Sequence, residues 1–196
     1  MALAAAAVAS GLLVHPQTLV PPRRNRADEI FPPLCAVWPP RTVTLVAFKQ
    51  ERRLEAWADG RLLKTYPILA ASGGPGLKRR EGDRQVPEGM YRLTTLNPQS
   101  RFHLSVRVDY PDAEDRANGC TGSDIYVHGG AASIGCLAIG NSGIEEIYRL
   151  AQLVDDRRIL ILPWDFRRRP PPDTEERWVA DRYARLEREL EALYLR

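Results

Sequence analysis

Short apolar or alternating blocks, bounded by glycine, proline and aspartate, recur along the chain and predict β-strands. In chain order they are TVTLVAF, RRLEAWA, RLLKTYPIL, MYRLTTL, RFHLSVRVDY, DIYVHG and RRILILPW. The dipeptide Asp59-Gly60 separates the second block from the third and suits the positive φ angles of a tight hairpin turn. The pattern therefore predicts a sheet of several short strands.

Two segments have helical rather than strand periodicity. In NSGIEEIYRLAQLV, apolar residues recur at helical spacing from Ile144 to Val154. After the prolines at 170–172, residues 173–196 carry opposite charges at i, i+4 spacing. The apolar residues of this last segment that we expect to pack on the domain are Trp178, Tyr183, Leu186, Leu190 and Leu193. The predicted fold is mostly β with α, an α+β domain with one internal helix and one C-terminal helix.

Composition divides the chain into segments. Residues 1–15 form an apolar leader that is too short to span a bilayer but suits a signal peptide, although no Lys or Arg precedes its apolar run. Residues 16–41 are rich in proline, which removes ladder donors, so a linker is expected there. We expect one folded domain at 42–165 and a C-terminal helix at 173–196 packed on it.

Charge and cysteine content exclude several classes of protein. The 28 basic and 25 acidic residues leave a net charge of +3, which is too balanced to indicate nucleic-acid binding. Cys35, Cys120 and Cys136 are too few for a disulfide framework, and no Cys/His spacing offers four metal ligands. We expect no metal and no cofactor. Cys120 is either a partly buried free thiol, which is the favoured interpretation, or a partner of Cys35 or Cys136.

The stretch SDIYVHGGAASIGCLAIGN carries the candidate chemistry. His128 ends a predicted strand and Cys136 begins the next apolar stretch, so the intervening turn can bring both side chains to one sheet edge. A histidine within hydrogen-bond reach of a thiol can activate it and later protonate a leaving amine. Gly129, Gly130 and Gly135 allow close approach of a substrate and leave N–H groups for an oxyanion. Spacing alone leaves open that both residues are merely structural.

The motifs of this region resemble those of the L,D-transpeptidase (YkuD-type) catalytic domain. VHG followed by SIGCLAIGN is similar to its nucleophile signature, and GDRQVPEGMYRL resembles its strand entry, with Val86 where Thr is common. NPQSRFHLSVRVDYP and GIEEIYRL resemble a compact murein L,D-transpeptidase-like subgroup that includes enzymes cutting amide bonds between peptidoglycan and lipoprotein. The resemblance covers roughly 42–163, and it implies an L,D-transpeptidase-like β-sandwich.

The resemblance assigns roles residue by residue. Cys136 matches the nucleophile and His128 the general base, with the backbone around 133–135 expected to orient the imidazole. The nucleophile loop and its oxyanion backbone are Ser133, Ile134 and Gly135. The candidate substrate-groove residues are His103, Gly129, Gly130 and Asn141, although His103 also fits a structural or surface role.

This chain departs from the majority pattern of the family at the nucleophile. Ile134 stands where a second histidine is usual, and Leu137 and Ala138 leave no arginine just after Cys136. The interval between His128 and Cys136 is also shorter than usual. The missing arginine normally assists recognition of a donor carboxylate. These differences favour the compact subgroup, and with it hydrolysis of a diaminopimelate amide.

The function implied is cysteine-dependent acyl transfer on peptidoglycan stem peptides, with attack on the carbonyl at the L-centre of meso-diaminopimelate. The reaction is either L,D-transpeptidation or cleavage of a diaminopimelate amide, such as a peptidoglycan–lipoprotein link. The expected partners are stem peptides and a peptidoglycan-linked lipoprotein, in the periplasm or cell envelope, with no nucleic acid and no integral membrane segment in the mature chain. Two alternatives stay open: a non-catalytic peptidoglycan-binding module of this fold, and a cytoplasmic protein acting on another amide.

Overall fold

The computed structural model describes residues 39–195. The predicted leader at 1–15 and nearly all of the predicted linker at 16–41 lie outside the described residues, as does Cys35. The domain boundaries inferred from composition therefore stay predictions.

The described residues form eight strands and three helices. The strands are β1 Thr42–Phe48, β2 Arg53–Ala58, β3 Arg61–Pro67, β4 Gly89–Ser100, β5 His103–Val108, β6 Ile125–His128, β7 Leu137–Ala138 and β8 Asp156–Leu162. The helices are α1 Ala113–Ala117, α2 Gly140–Gln152 and α3 Arg177–Tyr194. The predicted α+β fold is confirmed, and the structure adds the short helix α1. A capping box between Asp112 and Asp115 starts α1.

The strands form one curled mixed sheet of eight strands in the order β3-β2-β1-β8-β4-β5-β6-β7. β1 pairs with β8 in parallel, and so does β6 with β7. The long strand β4 pairs with β8 over residues 89–92 and with β5 over 93–100, so it joins the two halves of the sheet. No helix within residues 39–195 is both long enough and apolar enough to cross a membrane.

The central strands are buried on both faces. In β1, Val43, Leu45 and Ala47 belong to one apolar cluster, whereas Val46 and Phe48 belong to the other. Because side chains alternate between the faces of a strand, β1 supplies both clusters at once. The buried face of α2 packs in the first cluster and that of α3 in the second.

A buried carboxylate joins three parts of the fold. Glu88 is 0 % exposed, and its Oε1 accepts from Lys49 Nζ at 3.0 Å and from Gly76 N at 2.7 Å. Its Oε2 accepts from the Tyr183 hydroxyl at 2.6 Å. Glu88 therefore ties the end of β1 to the loop 68–88 and to α3.

The same loop supports the segment that leads to Cys136. Burial alone would raise the pKa of Asp83, but hydrogen bonds from backbone N–H groups and from Lys78 outweigh it and lower the pKa to about 2. Lys78 Nζ donates to Asp83 Oδ1 at 2.7 Å, which closes the loop on itself. A Cβ built on Gly135 would lie 3.5 Å from the Gln85 carbonyl oxygen, so the loop packs directly against the turn before Cys136.

The substitution Glu88→Gln is expected to destabilise the fold by about 3–5 kcal/mol, because it leaves the Lys49 ammonium buried without its counter-charge. Urea unfolding at neutral pH measures the change. Glu191 lies exposed on α3, and Glu191→Gln is the matched control, expected to change the free energy of unfolding by less than about 0.5 kcal/mol. Equal losses in the two variants would contradict a structural role for the buried carboxylate.

Candidate active site

His128 and Cys136 line the same open cavity, whose volume is about 240 Å³. Its walls come from the end of β4, the β4–β5 turn, β5, β6 and the residue before β7. The lining residues are Asn97, Gln99, Ser100, Arg101, Phe102, Ser105, Tyr126, His128 and Cys136. Among residues 39–195 there is no group of His, Cys, Asp and Glu that could hold a metal ion.

Strand register brings the two residues together. β7 pairs in parallel with β6, with Val127 opposite Leu137, so Cys136 lies beside Tyr126 at the head of β7. The turn between them is held by Asn141, whose Oδ1 accepts from Gly130 N at 2.9 Å. A Cβ at Gly129 would lie 2.4 Å from the Phe102 carbonyl oxygen, so only glycine fits there. Gly130 and Asn141 thus hold the turn that follows His128.

His128 is held as a neutral base. Its side chain is buried, and its Nδ1 lies 2.6 Å from the Gly129 carbonyl oxygen. Because a carbonyl oxygen only accepts, Nδ1 carries the proton and Nε2 is left with its lone pair. Burial lowers the pKa of His128, although the hydrogen bond to Gly129 opposes this. The ring of Phe102 packs on the imidazole with 4.5 Å between centroids.

The backbone group that orients the His128 imidazole is therefore not the one that the sequence predicts. Segment 133–135 was expected to orient the imidazole, but the acceptor is the carbonyl of Gly129, the next residue. The tight turn after β6 directs this carbonyl back at Nδ1. Ser133 holds the backbone of Cys136 instead: its Oγ accepts from Cys136 N and donates to Cys136 O, both at 2.8 Å.

Cys136 rests as a protonated thiol. Its Sγ donates to the Asp124 carbonyl oxygen at 3.5 Å and makes no hydrogen bond to the imidazole within the described residues. Burial raises the pKa of the Cys136 thiol, although the Tyr126 N–H opposes this. The pair is thus a neutral thiol beside a neutral imidazole.

Free backbone donors lie next to the thiol. The Cys136 N–H is already bonded to Ser133. Of the oxyanion donors expected from the sequence, the Gly129 N–H donates to the Leu104 carbonyl oxygen and the Gly130 N–H to Asn141 Oδ1, so neither is free. The N–H groups of Ile134 and Gly135 donate to no acceptor among residues 39–195. The Ile134 side chain itself is 82 % exposed, so it leaves this backbone open to a ligand.

Two other candidate residues lie apart from the cavity lining. The His103 imidazole lies 2.7 Å from Glu145 Oε1 of α2, and the groove wall at this point is formed by Arg101 and Phe102. Cys120 and Cys136 are both free thiols, and Cys120 is buried.

Sequence reasoning missed Tyr126 and Asp124, which flank the thiol. The Tyr126 hydroxyl donates to Asp124 Oδ1 at 3.2 Å, and the Asp124 backbone oxygen accepts from the thiol. Asp124 has a φ of 58°, a left-handed conformation that aspartate tolerates better than most residues. The sequence signal was the place of Asp124 directly before the short strand IYVH and after Gly122 and Ser123.

Comparison with known proteins identifies the domain. A family model described as the L,D-transpeptidase catalytic domain, YkuD, matches residues 42–161. This chain belongs to that family. The membership confirms the resemblance found in the motifs and, with it, the L,D-transpeptidase-like fold.

Curated relatives of this L,D-transpeptidase-family chain carry the name "Putative L,D-transpeptidase YafK". The proteins of Escherichia coli strains K12 and O157:H7 are each 40% identical over 113 residues, which is 55% of this chain and 46% of theirs. The chain thus spans about half the length of these relatives. The helical cell shape determining protein Pgp2 from Campylobacter jejuni has a similar structure, with a TM-score of 0.55 and 23% identity over 65% of this chain and 49% of Pgp2.

Alkylation of Cys136 is expected to be slow at neutral pH, because a raised thiol pKa leaves little thiolate. The rate should climb as the pH rises through and beyond the ordinary cysteine range near pH 8.5. Iodoacetamide labelling from about pH 6 to about pH 10, with peptide mapping to separate Cys136 from Cys120 and Cys35, measures the profile. His128→Ala should leave it nearly unchanged. A fast plateau at acidic pH that disappears in His128→Ala would instead show a thiolate–imidazolium pair.

Proposed function

We propose that this domain is a cysteine acyltransferase of peptidoglycan stem peptides, with Cys136 as nucleophile and His128 as general base and acid. The observation that carries the proposal is the shared cavity: it is lined by His128, whose tautomer leaves Nε2 as an acceptor, and by Cys136, the only thiol of residues 39–195 in its lining. Family membership supports the chemistry, and the acyl donor is the L-centre carbonyl of meso-diaminopimelate.

Acylation starts from the neutral pair. The Cys136 proton leaves the Asp124 carbonyl and passes to His128 Nε2 as Sγ attacks the donor carbonyl. The developing oxyanion accepts from the N–H groups of Ile134 and Gly135. The C–N bond then breaks, and the His128 proton goes to the departing amine. The product is a thioester on Cys136 and a free amine.

The second half-reaction resolves the thioester. An amine acceptor gives a new amide bond, which is transpeptidation, whereas water gives a free carboxylate, which is amidase or carboxypeptidase action. In either case His128 takes a proton from the incoming group, and the thiol is restored when the C–S bond breaks. The short, open turn after His128 and the absence of an arginine after Cys136 favour hydrolysis of a diaminopimelate amide, including a link to lipoprotein, in the periplasm or envelope.

One observation favours a second candidate function, a peptidoglycan-binding module without catalysis. The Cys136 thiol donates to the Asp124 carbonyl rather than to the imidazole, and the pKa of this buried thiol is raised. A protein that had lost its activity would retain the cavity and bind muropeptides without forming a covalent intermediate.

Incubation with purified tetrapeptide muropeptides tests the proposal. The intact-protein mass is expected to show a thioester adduct. The soluble fraction is expected to contain released D-alanine or a cleaved or cross-linked product. Cys136→Ala should abolish all of these, and His128→Ala should slow turnover about 10²- to 10⁴-fold.

The second free thiol of the described chain provides the matched control. Cys120 is buried, with 4 % of its surface exposed, and it does not line the cavity. Cys120→Ala should therefore retain activity. A folded wild-type protein that binds muropeptides equally well with and without Cys136, yet forms neither adduct nor product, would establish the binding module instead.

A further inference from the structure

Arg107 lies in β5 just beyond the residues that line the cavity, on the face of the sheet that carries Ser105 and Tyr126. It pairs with Tyr126 of β6, while Ser105, two residues earlier in the same strand, pairs with His128. Because alternate residues of a strand share a face, Arg107 follows Ser105 on the face that lines the cavity. Paired residues on neighbouring strands also share a face, so Arg107 lies beside Tyr126, which is next to Cys136.

Within the part of the chain that the structure describes, the guanidinium of Arg107 makes no hydrogen bond. Its Nε is buried and has no partner within residues 39–195. The nearest carboxylate oxygen that pairs with it is Asp124 Oδ1, 3.9 Å from Nη2, beyond hydrogen-bond distance. By contrast, Arg157 donates four hydrogen bonds to backbone carbonyls. A buried donor without an acceptor is costly and uncommon, and at a cavity edge it indicates a group that meets its acceptor in a ligand.

A single residue separates this guanidinium from the thiol. The Asp124 backbone oxygen accepts from Cys136 Sγ at 3.5 Å, and the Oδ1 of the same residue lies 3.9 Å from Arg107 Nη2. One residue of extended peptide spans about 3.5 Å. A substrate whose carbonyl lies at Sγ can therefore place a group one or two residues away at Arg107.

We propose that Arg107 binds a free carboxylate of the donor stem peptide and so sets the donor specificity of the site. The inference rests on the proposed function of this cavity. A planar guanidinium with unpaired donors matches a carboxylate in a bidentate arrangement, which a neutral amide cannot reproduce. Two carboxylates with this chemistry are separated from the scissile carbonyl by the fewest bonds: that of the residue released on cleavage, and that of the D-centre of diaminopimelate.

Asp124 limits the strength of this contact. Its carboxylate is 69 % exposed and accepts from the hydroxyls of Tyr126 and Ser123, at 3.2 Å and 3.1 Å. A ligand carboxylate at Arg107 is therefore repelled by Asp124 while it is attracted by the guanidinium. Removal of the Asp124 charge should strengthen binding of an acidic ligand, an effect opposite in sign to removal of Arg107.

Binding to the full chain carrying Cys136→Ala tests the inference without turnover. The probes are a tetrapeptide muropeptide with free carboxylates, the same peptide amidated at its C-terminal residue, and the same peptide amidated at the D-centre of diaminopimelate. In calorimetric titrations, one amidation is expected to weaken binding about tenfold or more, and that amide identifies the carboxylate. Adding Arg107→Gln should remove this preference, and Asp124→Asn should tighten binding of the acid but not of the matching amide.

Arg92 provides the control, because it is exposed on β4 opposite Arg158 of β8 and outside the cavity lining. Arg92→Gln should keep the preference for the acid. The inference is wrong if all three peptides bind alike, if none binds, or if Arg107→Gln weakens acid and amides equally. Failure of the proposed function looks different: the acid then binds through Arg107, but the protein with its native Cys136 yields no adduct and no product.

Discussion

The buried ion pair of Glu88 and Lys49 is the constraint on which the arrangement of this fold depends. Side chains this deeply buried, 0% and 1% exposed, are stable as charges only when every polar atom has a partner. Burial lowers the pKa of Lys49, and the Glu88 carboxylate opposes that shift. Lys49 also donates to the carbonyls of Gly76 and Val86 at 2.9 Å. If the loop left the sheet, the buried Lys49 ammonium would lose these acceptors.

That loop links stability to the site. Its residues 84 and 85 pack against Gly135, whose φ of 129° is a conformation that favours glycine. The backbone that offers the Ile134 and Gly135 N–H groups thus packs against a loop that Glu88 fixes to the sheet. In the proposed mechanism this rigidity matters because oxyanion donors stabilise a transition state only if they are already in place. The thiol, by contrast, exchanges one acceptor for another, from the Asp124 carbonyl to His128 Nε2.

Much of the fold follows from local patterns, and the rest depends on long-range pairing. Alternation and β-branched residues predicted the strands, and the stripe from Ile144 to Val154 predicted α2, because these signals depend on neighbours in sequence. The parallel pairing of β1 with β8 joins residues more than a hundred positions apart, which no local pattern encodes. The two-residue strand β7 and the short helix α1 were missed for another reason: both are too short for periodicity to appear.

The same division applies to the site. His128 and Cys136 stand out in sequence because few histidines and cysteines exist and both lie among glycines. Asp124, Tyr126 and Arg107 do not stand out, since charged and aromatic residues are common at strand ends and edges. Their place beside the thiol comes from the register of β5, β6 and β7. Only the pairing of strands shows that Arg107 and Cys136 both lie beside Tyr126.

The register also explains why an arginine after the cysteine has no place in this chain. Leu137 and Ala138 are both 0% exposed, because β7 pairs with β6 on one side and Ala138 bridges to Ala70 on the other. A guanidinium at either position would be buried without a counter-charge, at a cost of several kcal/mol. A cation that meets a substrate carboxylate here must therefore come from another strand, on the face that the cavity exposes. Arg107 meets that requirement: β5 holds its backbone in the sheet, while its side chain is partly exposed, its Nε has no hydrogen-bond partner within residues 39–195, and its ion pair with Asp124 spans 3.9 Å.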